Sequence, residues 1–267
     1  MTLQAYLHGY SPQEQLRLVE QAEYWKETIL SDLPYKPGES LLDVGCGVGA
    51  VLGVIAAAHP TLSLAGIDLE PRQIIAAQKH LGSLGVVRPD LRTGDASALP
   101  WADHSFDHAY MMWFIEHVRK PLEILREVRR VLKPGGTITM NETEYSAYHV
   151  LPKSDDWDHL EQAMHLHFDS HGNANAGLQL GTLLVKAGFS RITNSLSGCH
   201  FFSTPECDAL QAHTSYTADY LEPAIPEFVR LGFDSERLQR GVKHLRTLHT
   251  SPDGSFTQMV YRARAYA

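Results

Sequence analysis

The stretch Leu41-Leu42-Asp43-Val44-Gly45-Cys46-Gly47-Val48-Gly49-Ala50 decides the fold. A short apolar run carrying one acid breaks into three glycines at alternate positions, and an apolar segment follows. The pattern predicts a strand over Ser40 to Val44, a tight turn, and a helix over Ala50 to Ala58. Such a turn offers backbone N–H groups and the positive end of a helix dipole to a ligand. Gly45-x-Gly47-x-x-Ala50 also satisfies the loose dinucleotide fingerprint, which tolerates Ala at its third place. Asp43 argues against that ligand, because an anion at the strand tip would approach a pyrophosphate unfavourably. A cationic amino-acid ligand instead brings an ammonium group that this carboxylate can hold, directly or through water.

Outward from the turn the chain alternates strand and helix. Leu64 to Asp68 reads as a second buried strand ending in an acid, and Pro71 opens a helix running to Leu84. Asp90 to Arg92 is the third strand, followed by Gly94-Asp95-Ala96, and Ser105 to Met112 is the fourth. A helix from Pro121 to Leu132 is stopped by Lys133-Pro134-Gly135-Gly136, read as a chain-reversing turn. Thr137 to Glu142 is the fifth strand. This rhythm predicts parallel strands with right-handed crossovers, an α/β doubly wound, Rossmann-like sheet.

Before the first strand, Ser11-Pro12-Gln13-Glu14 reads as a helix start, and one helix is expected to about Leu30. It could cover the ligand edge, with Tyr10 and Arg17 close by, or merely cover the core. Beyond Glu142 the rhythm changes. Thr143 to Ala176 is rich in His, Asp, Tyr and Asn, and reads as an insertion over the site mouth, outside the sheet. Leu178 to Ala187 resumes a helix closed by Gly188, and Phe189 to Phe202 supplies a sixth strand. Helices broken by Pro223, Pro226 and Gly232 fill Pro205 to Thr250, and Ser255 to Ala267 alternates as a last strand. The expected organisation is one domain over 1–267. It has an N-terminal helical segment (1–35), a cofactor-binding core (36–142), two cap insertions (143–176 and 205–250) and sheet completion (177–204 and 251–267).

Bulk properties exclude several classes. The 267 residues are 43% hydrophobic and 20% charged, with a formal net charge of -8, ordinary for a globular enzyme and without the basic field that attracts nucleic acid. Cys46, Cys199 and Cys207 form no pair with metal-ligand spacing, which fits a reducing compartment. Residues 1–9 have no signal-peptide pattern, and no apolar run approaches the ~20 residues of a membrane-spanning helix. A cytoplasmic protein with no membrane span is expected.

The ordered set Leu42-Asp43-Val44-Gly45-Cys46-Gly47-Val48-Gly49, Gly66-Ile67-Asp68, Gly94-Asp95-Ala96 with Leu99-Pro100, Phe106-Asp107, Glu116-His117-Val118 and Leu132-Lys133-Pro134-Gly135-Gly136 resembles the class I S-adenosylmethionine-dependent methyltransferases. Within that class it is similar to the branch of ubiquinone and menaquinone C-methyltransferases and many small-molecule methyltransferases. The resemblance spans Ser40 to Glu142. It implies a seven-stranded sheet with its last strand antiparallel, with S-adenosylmethionine as cofactor and S-adenosylhomocysteine as product. It further implies that Gly45, Cys46 and Gly47 pass beneath the methionine part, that Asp68 and Leu69 meet ribose and adenine, and that Gly94, Asp95 and Ala96 meet adenine. Met111 and Met112 would lie on the cofactor's other side. Gly9-Tyr10-Ser11 with Arg17 resembles a subset of the branch in which that segment folds over the cofactor. Gln73, on the helix after Asp68, is counted with these residues, as is Asp43.

The implied activity is methyl transfer to a small organic acceptor under a helical cap. A sulfonium is already electrophilic, so in-line placement and exclusion of water do most of the work. A base is needed only where the acceptor must lose a proton. His117 and Glu142 are the candidates for catalysis, and Glu144, Tyr145 and His149 lie close in sequence. His117 could equally hold a turn, and Glu142 could close one. The histidines of the insertion (His149, His159, His165, His167, His171) lack paired metal-ligand spacing, so no metal is expected. The aromatics Trp113, Tyr145, Tyr148, Trp157, Phe168, Phe201 and Phe202 could line an acceptor pocket or sit in the core. The residues after strand four, Met111-Met112-Trp113-Phe114, do not match the Asn/Asp-Pro-Pro-Tyr/Phe motif of nucleic-acid methylation. Two other readings rank below: a non-catalytic S-adenosylmethionine-binding regulator and an NAD-dependent oxidoreductase. An N-terminal helix that can move leaves room for a homodimer.

Overall fold

The computed structural model describes residues 9–206 and 208–267. Cys207, and all but the last of the residues on which the signal-peptide reading rests, lie outside them. The elements run α1 (Pro12–Tyr24), α2 (Lys26–Leu30), β1 (Ser40–Val44), α3 (Ala50–Ala58), β2 (Ser63–Asp68), α4 (Pro71–Ser83), β3 (Asp90–Thr93), β4 (Phe106–Met112), α5 (Pro121–Val131) and β5 (Leu132–Thr143). Then follow β6 (His149–Leu151), α6 (Asp155–His171), α7 (Ala176–Lys186), β7 (Ser190–Phe202), α8 (Ala209–Leu221), α9 (Ile225–Arg230), α10 (Ser235–Thr247) and β8 (Ser255–Tyr266). The sheet order is β3-β2-β1-β4-β5-β8-β6, with β7 also paired to β8. β1 to β5 are parallel, and β8 runs antiparallel to its neighbours β5, β6 and β7.

The sheet therefore has eight strands where seven are expected. The extra one is β6, and it overturns the expectation that Thr143 to Ala176 stays outside the sheet. β7 covers one edge of β8 from Ser255 to Tyr266, so β5 and β6 share the other, pairing with Val260–Tyr266 and Ser255–Thr257 respectively. Two further expectations are corrected. The first helix is broken at Trp25, whose ring packs edge-on against Trp113, centroids 6.0 Å apart. The Lys133-Pro134-Gly135-Gly136 segment does not separate helix from strand. β5 starts at Leu132, opposite Phe106, and the four residues bulge out before pairing resumes at Thr137 opposite His108.

Burial follows strand alternation. Ala109 and Met111 of β4 face a core shared with α5 and α7, while Tyr110 and Met112 face the other side, beneath α1 to α4. A second core forms above the sheet. Tyr145, Trp157, Leu160, Met164 and Phe168 from the first insertion pack with Leu210, Leu221, Phe228, Leu238 and Leu245 from the second. Asp156 of α6 also accepts hydrogen bonds from Arg240 and Arg237 of α10 at 2.8 and 3.3 Å. The two insertions are thus one cap. α1 joins the cap through Tyr24, whose OH lies 2.6 Å from His213 Nδ1 and whose ring stacks on Tyr216.

Candidate functional site

Gly45, Gly47 and Gly49 adopt φ of +78°, +50° and +71°, the left-handed region that favours glycine, and Gly49 caps α3. The resulting turn is one wall of a cavity of about 270 Å³. The other walls come from α1, the β2–α4 junction, the segment after β4, and the cap. A Cβ on Gly45 would lie 2.2 Å from the Phe114 ring, so the turn and the segment after β4 are fitted to each other.

The cavity brings together Tyr10, Arg17, Gly45, Cys46, Asp68, Leu69, Gln73, Met112 and His117 of the expected site residues. Asp68 ends β2 with its carboxylate held: Gly47 N donates to Oδ2 at 2.9 Å and Glu70 N to Oδ1 at 3.0 Å. Each oxygen keeps a lone-pair direction for a ligand hydroxyl. Gln73 Oε1 accepts from Gln15 Nε2, tying α4 to α1. Arg17 is in a bidentate pair with Glu14, both bonds 2.7 Å.

The other expected residues are not on the cavity wall. Asp43 is 2% exposed and lies beneath the turn, and its Oδ2 has no hydrogen-bond partner. Burial, with the Asp68 charge nearby, raises its pKa to about 8. Gly47 turns its N–H to Asp68. Gly94 donates its N–H to the Asp68 carbonyl, and Asp95 Oδ1 accepts from the Ser97 backbone and hydroxyl, closing the turn that carries Ala96. Met111 is fully buried on the core face of β4. Glu142 is also fully buried. Its Oε1 accepts from Phe114 N at 2.9 Å and Ile115 N at 2.8 Å, and its Oε2 from Glu116 N at 3.4 Å. Instead of facing an acceptor, this carboxylate shapes the segment after β4.

Several lining groups were not foreseen: Gln21 and Trp25 of the N-terminal helices, Glu116, Tyr216, Thr217 and Tyr220 of α8, and Gln258 of β8. Tyr216 and Tyr220, four apart on one helix, carried a signal that could have found them. Trp113, Tyr145, Tyr148 and Phe168 line the cavity as the aromatic reading allows, and so do His167 and His171. Burial and neighbouring histidines hold His117 and His167 near pKa 4, so both imidazoles are neutral at pH 7. Among the described residues no three His, Cys, Asp or Glu side chains are placed to hold a metal ion. No helix among them is long and apolar enough to cross a membrane.

A doubly wound sheet with one reversed strand and a ligand cavity at a glycine-rich β1–α3 turn defines the class I methyltransferase fold. Comparison with known proteins agrees. Residues 42–140 match the family model described as a methyltransferase domain. The chain is 32% identical over 188 residues to a 24-methylenesterol C-methyltransferase 2 from Oryza sativa subsp. japonica, covering 68% of this chain and 48% of that protein. It is 34% identical over 125 residues to a demethylmenaquinone methyltransferase from Staphylococcus aureus, covering 46% of this chain and 51% of that one. A solved S-adenosylmethionine-dependent methyltransferase from Aquifex aeolicus superposes with a TM-score of 0.53 at 19% identity, covering 69% of this chain and 90% of that one. The chain spans about half the length of the curated relatives it matches. Residues 42–140 thus form a methyltransferase domain, and the chain has the fold of the class I S-adenosylmethionine-dependent methyltransferases.

Proposed function

We propose that the whole chain is one methyltransferase unit that transfers a methyl group from S-adenosylmethionine to a small organic acceptor enclosed by the cap. The observation that carries this reading is the single cavity formed by the glycine turn, Asp68, Leu69 and Gln73 on one side and the cap on the other. The fit is supported by the orphaned, buried Oδ2 of Asp43 and by the turn at Gly45, where a side chain would collide with Phe114. S-adenosylmethionine supplies an electrophilic methyl group on a sulfonium.

In this reading Asp68 receives the ribose hydroxyls and Asp43, beneath the turn, takes the ammonium group through water. Gly45, Cys46 and Gly47 pass beneath the methionine part, while Leu69 and Met112 border the adenosine. Gln73, Arg17 of α1 and Tyr10 just before α1 close the cofactor edge. Gly94, Asp95, Ala96 and Met111 support these walls from behind, and Glu142 holds the backbone that carries Glu116 and His117. The aromatic cap excludes water, which strengthens electrostatic contacts inside it. With its pKa near 4, His117 positions an acceptor better than it removes a proton.

A pH profile tests the Asp43 assignment. The Asp43 carboxyl is protonated below about pH 8 in the free protein. A bound ammonium group favours the carboxylate, so binding releases a proton below that pH. Affinity for S-adenosylhomocysteine is therefore expected to rise with pH from about 6 to 8, by up to about ten-fold per unit. Calorimetry at pH 6, 7 and 8 reads this, and Asp43→Asn should flatten the profile. A flat profile in the parent protein contradicts the assignment.

A cytoplasmic setting is part of the proposal, supported by free thiols at Cys46 and Cys199. So is a homodimer. β7 is a 13-residue strand that pairs only with β8 among the described residues, with Leu196 and Phe202 exposed. A long edge of that kind invites a second strand. Sedimentation velocity checks it: a monomer at all concentrations refutes the dimer.

A further inference from the structure

The acceptor end of the cavity contains a buried carboxyl group that methyl transfer as such does not need. Glu116 lies on the wall, is 2% exposed, and has no hydrogen-bond partner at Oε2. Its Oε1 accepts from the Tyr145 hydroxyl at 3.1 Å and lies 3.4 Å from His117 Nε2. The Tyr145 ring stacks on Phe168 with centroids 4.4 Å apart and meets Tyr148 edge-on at 5.6 Å, and the Tyr220 hydroxyl lies 3.4 Å from that of Tyr145. The carboxyl with the orphaned oxygen therefore shares the cavity wall with the rings of Tyr145, Tyr148 and Phe168, and aromatic faces attract cations.

Charges elsewhere on the wall point the same way. Among the described residues the wall carries one permanent cation, Arg17, already in its bidentate pair with Glu14, while Asp68 adds a second acid. His117 and His167 are neutral at pH 7. A carboxylate or phosphate acceptor would find on the wall only the cation already paired with Glu14, and burying an anion without a partner is costly. An alcohol or phenol would need a base to take its proton, and a histidine of pKa near 4 is a weak one.

We propose that the acceptor is a small primary or secondary amine with an apolar body, its nitrogen held at Glu116 Oε2 and its body against Tyr145, Tyr148 and Phe168. This rests on the methyl-transfer reading and adds to it the atom that is methylated. Burial and Glu142 push the Glu116 carboxyl well above the ordinary range, so it gives its proton to water as the amine enters as an ammonium ion. Its N–H bond breaks and an O–H bond forms on Glu116, because a dry pocket favours the neutral acid and neutral amine over the ion pair. The freed nitrogen lone pair attacks the methyl group of S-adenosylmethionine. A C–N bond forms as the C–S bond breaks, and that electron pair stays on sulfur. The product leaves as the methylated ammonium ion, and Glu116 keeps the proton it took, as in the free protein.

The test uses the full chain saturated with S-adenosylhomocysteine and three probes of one shape: phenethylamine, 2-phenylethanol and phenylacetate. Calorimetry is expected to show phenethylamine binding at least ten-fold tighter than either of the others. Glu116→Gln is expected to remove that preference while its affinity for S-adenosylhomocysteine stays at the parent value. Equal binding of the three probes, tighter binding of the alcohol or acid, or binding of none while S-adenosylhomocysteine binds, overturns the amine assignment. So does a Glu116→Gln protein that keeps the preference. Failure of S-adenosylhomocysteine itself to bind would instead overturn the methyl-transfer reading. The parent protein alone decides between the probes, so the inference stays testable even if the variant does not fold.

Discussion

Asp68→Ala is expected to weaken binding of S-adenosylhomocysteine by about 100-fold, the size of losing one or two charge-assisted hydrogen bonds worth ~1.5–3 kcal/mol each. The effect has two sources. The carboxylate presents acceptor positions for the ribose hydroxyls in the proposed complex. It also fixes the turn, because Gly47 N and Glu70 N both donate to it. Alanine removes both, and leaves those two N–H groups to water at the cavity edge. Asp68 lies at a strand tip beside the cavity and not in an apolar core, so the fold should survive. A thermal melt close to the parent's, together with the loss of affinity by calorimetry, is the expected pair of results. A variant that binds within two-fold of the parent would remove Asp68 from the site.

Glu142→Ala is expected to have the larger effect on stability and to act for a different reason. Three consecutive backbone N–H groups, at Phe114, Ile115 and Glu116, converge on this fully buried carboxylate. Burial raises its pKa, and the same three N–H groups work against that rise. Alanine would leave all three donors unpaired in the interior, each costing ~1–3 kcal/mol. A loss of about 3–5 kcal/mol follows, comparable to breaking a buried charged contact. For a chain of this size that corresponds to roughly 6–20 °C in Tm. Scanning calorimetry of parent and variant reads it directly, and an unchanged Tm would mean that the segment after β4 holds its shape without Glu142.

These two acids illustrate how much of the site was legible in the sequence. Both end or nearly end a strand of a doubly wound sheet, and strand tips are where ligands bind. The rule finds Asp68 on the cavity wall. It misleads for Glu142, because sequence position fixes the strand tip and not the face: β5 turns this side chain inward, toward the loop of its neighbour β4. Met111 and Met112 divide in the same way. Strand alternation puts one in the core and the other on the cavity wall, but which is which depends on register with β5.

The sheet was more legible than the cap. Glycine spacing placed α3 at Ala50–Ala58, Pro71 opened α4, and the alternation after Ser255 gave a last strand, whose reversed direction the family resemblance implied. β6 has only three residues, too few to show a period, and its pairing is set by the free part of the β8 edge. The break at Trp25 has no glycine or proline to announce it and arises from packing against Trp113 and His213. The acceptor end escaped for a related reason. Glu116, Tyr145, Phe168 and Tyr220 sit on four separated segments, and only the shared core of the two insertions brings them together.

The central claim is that the cavity at the Asp43–Ala50 turn holds S-adenosylmethionine. Isothermal titration of the full chain with S-adenosylhomocysteine, with NADH as control, tests it most directly. The account predicts one saturable site with a Kd on the order of micromolar, equivalent to about 8 kcal/mol, and no heat from NADH. A folded sample that gives no binding heat with S-adenosylhomocysteine up to about 1 mM, or that binds NADH instead, would contradict it.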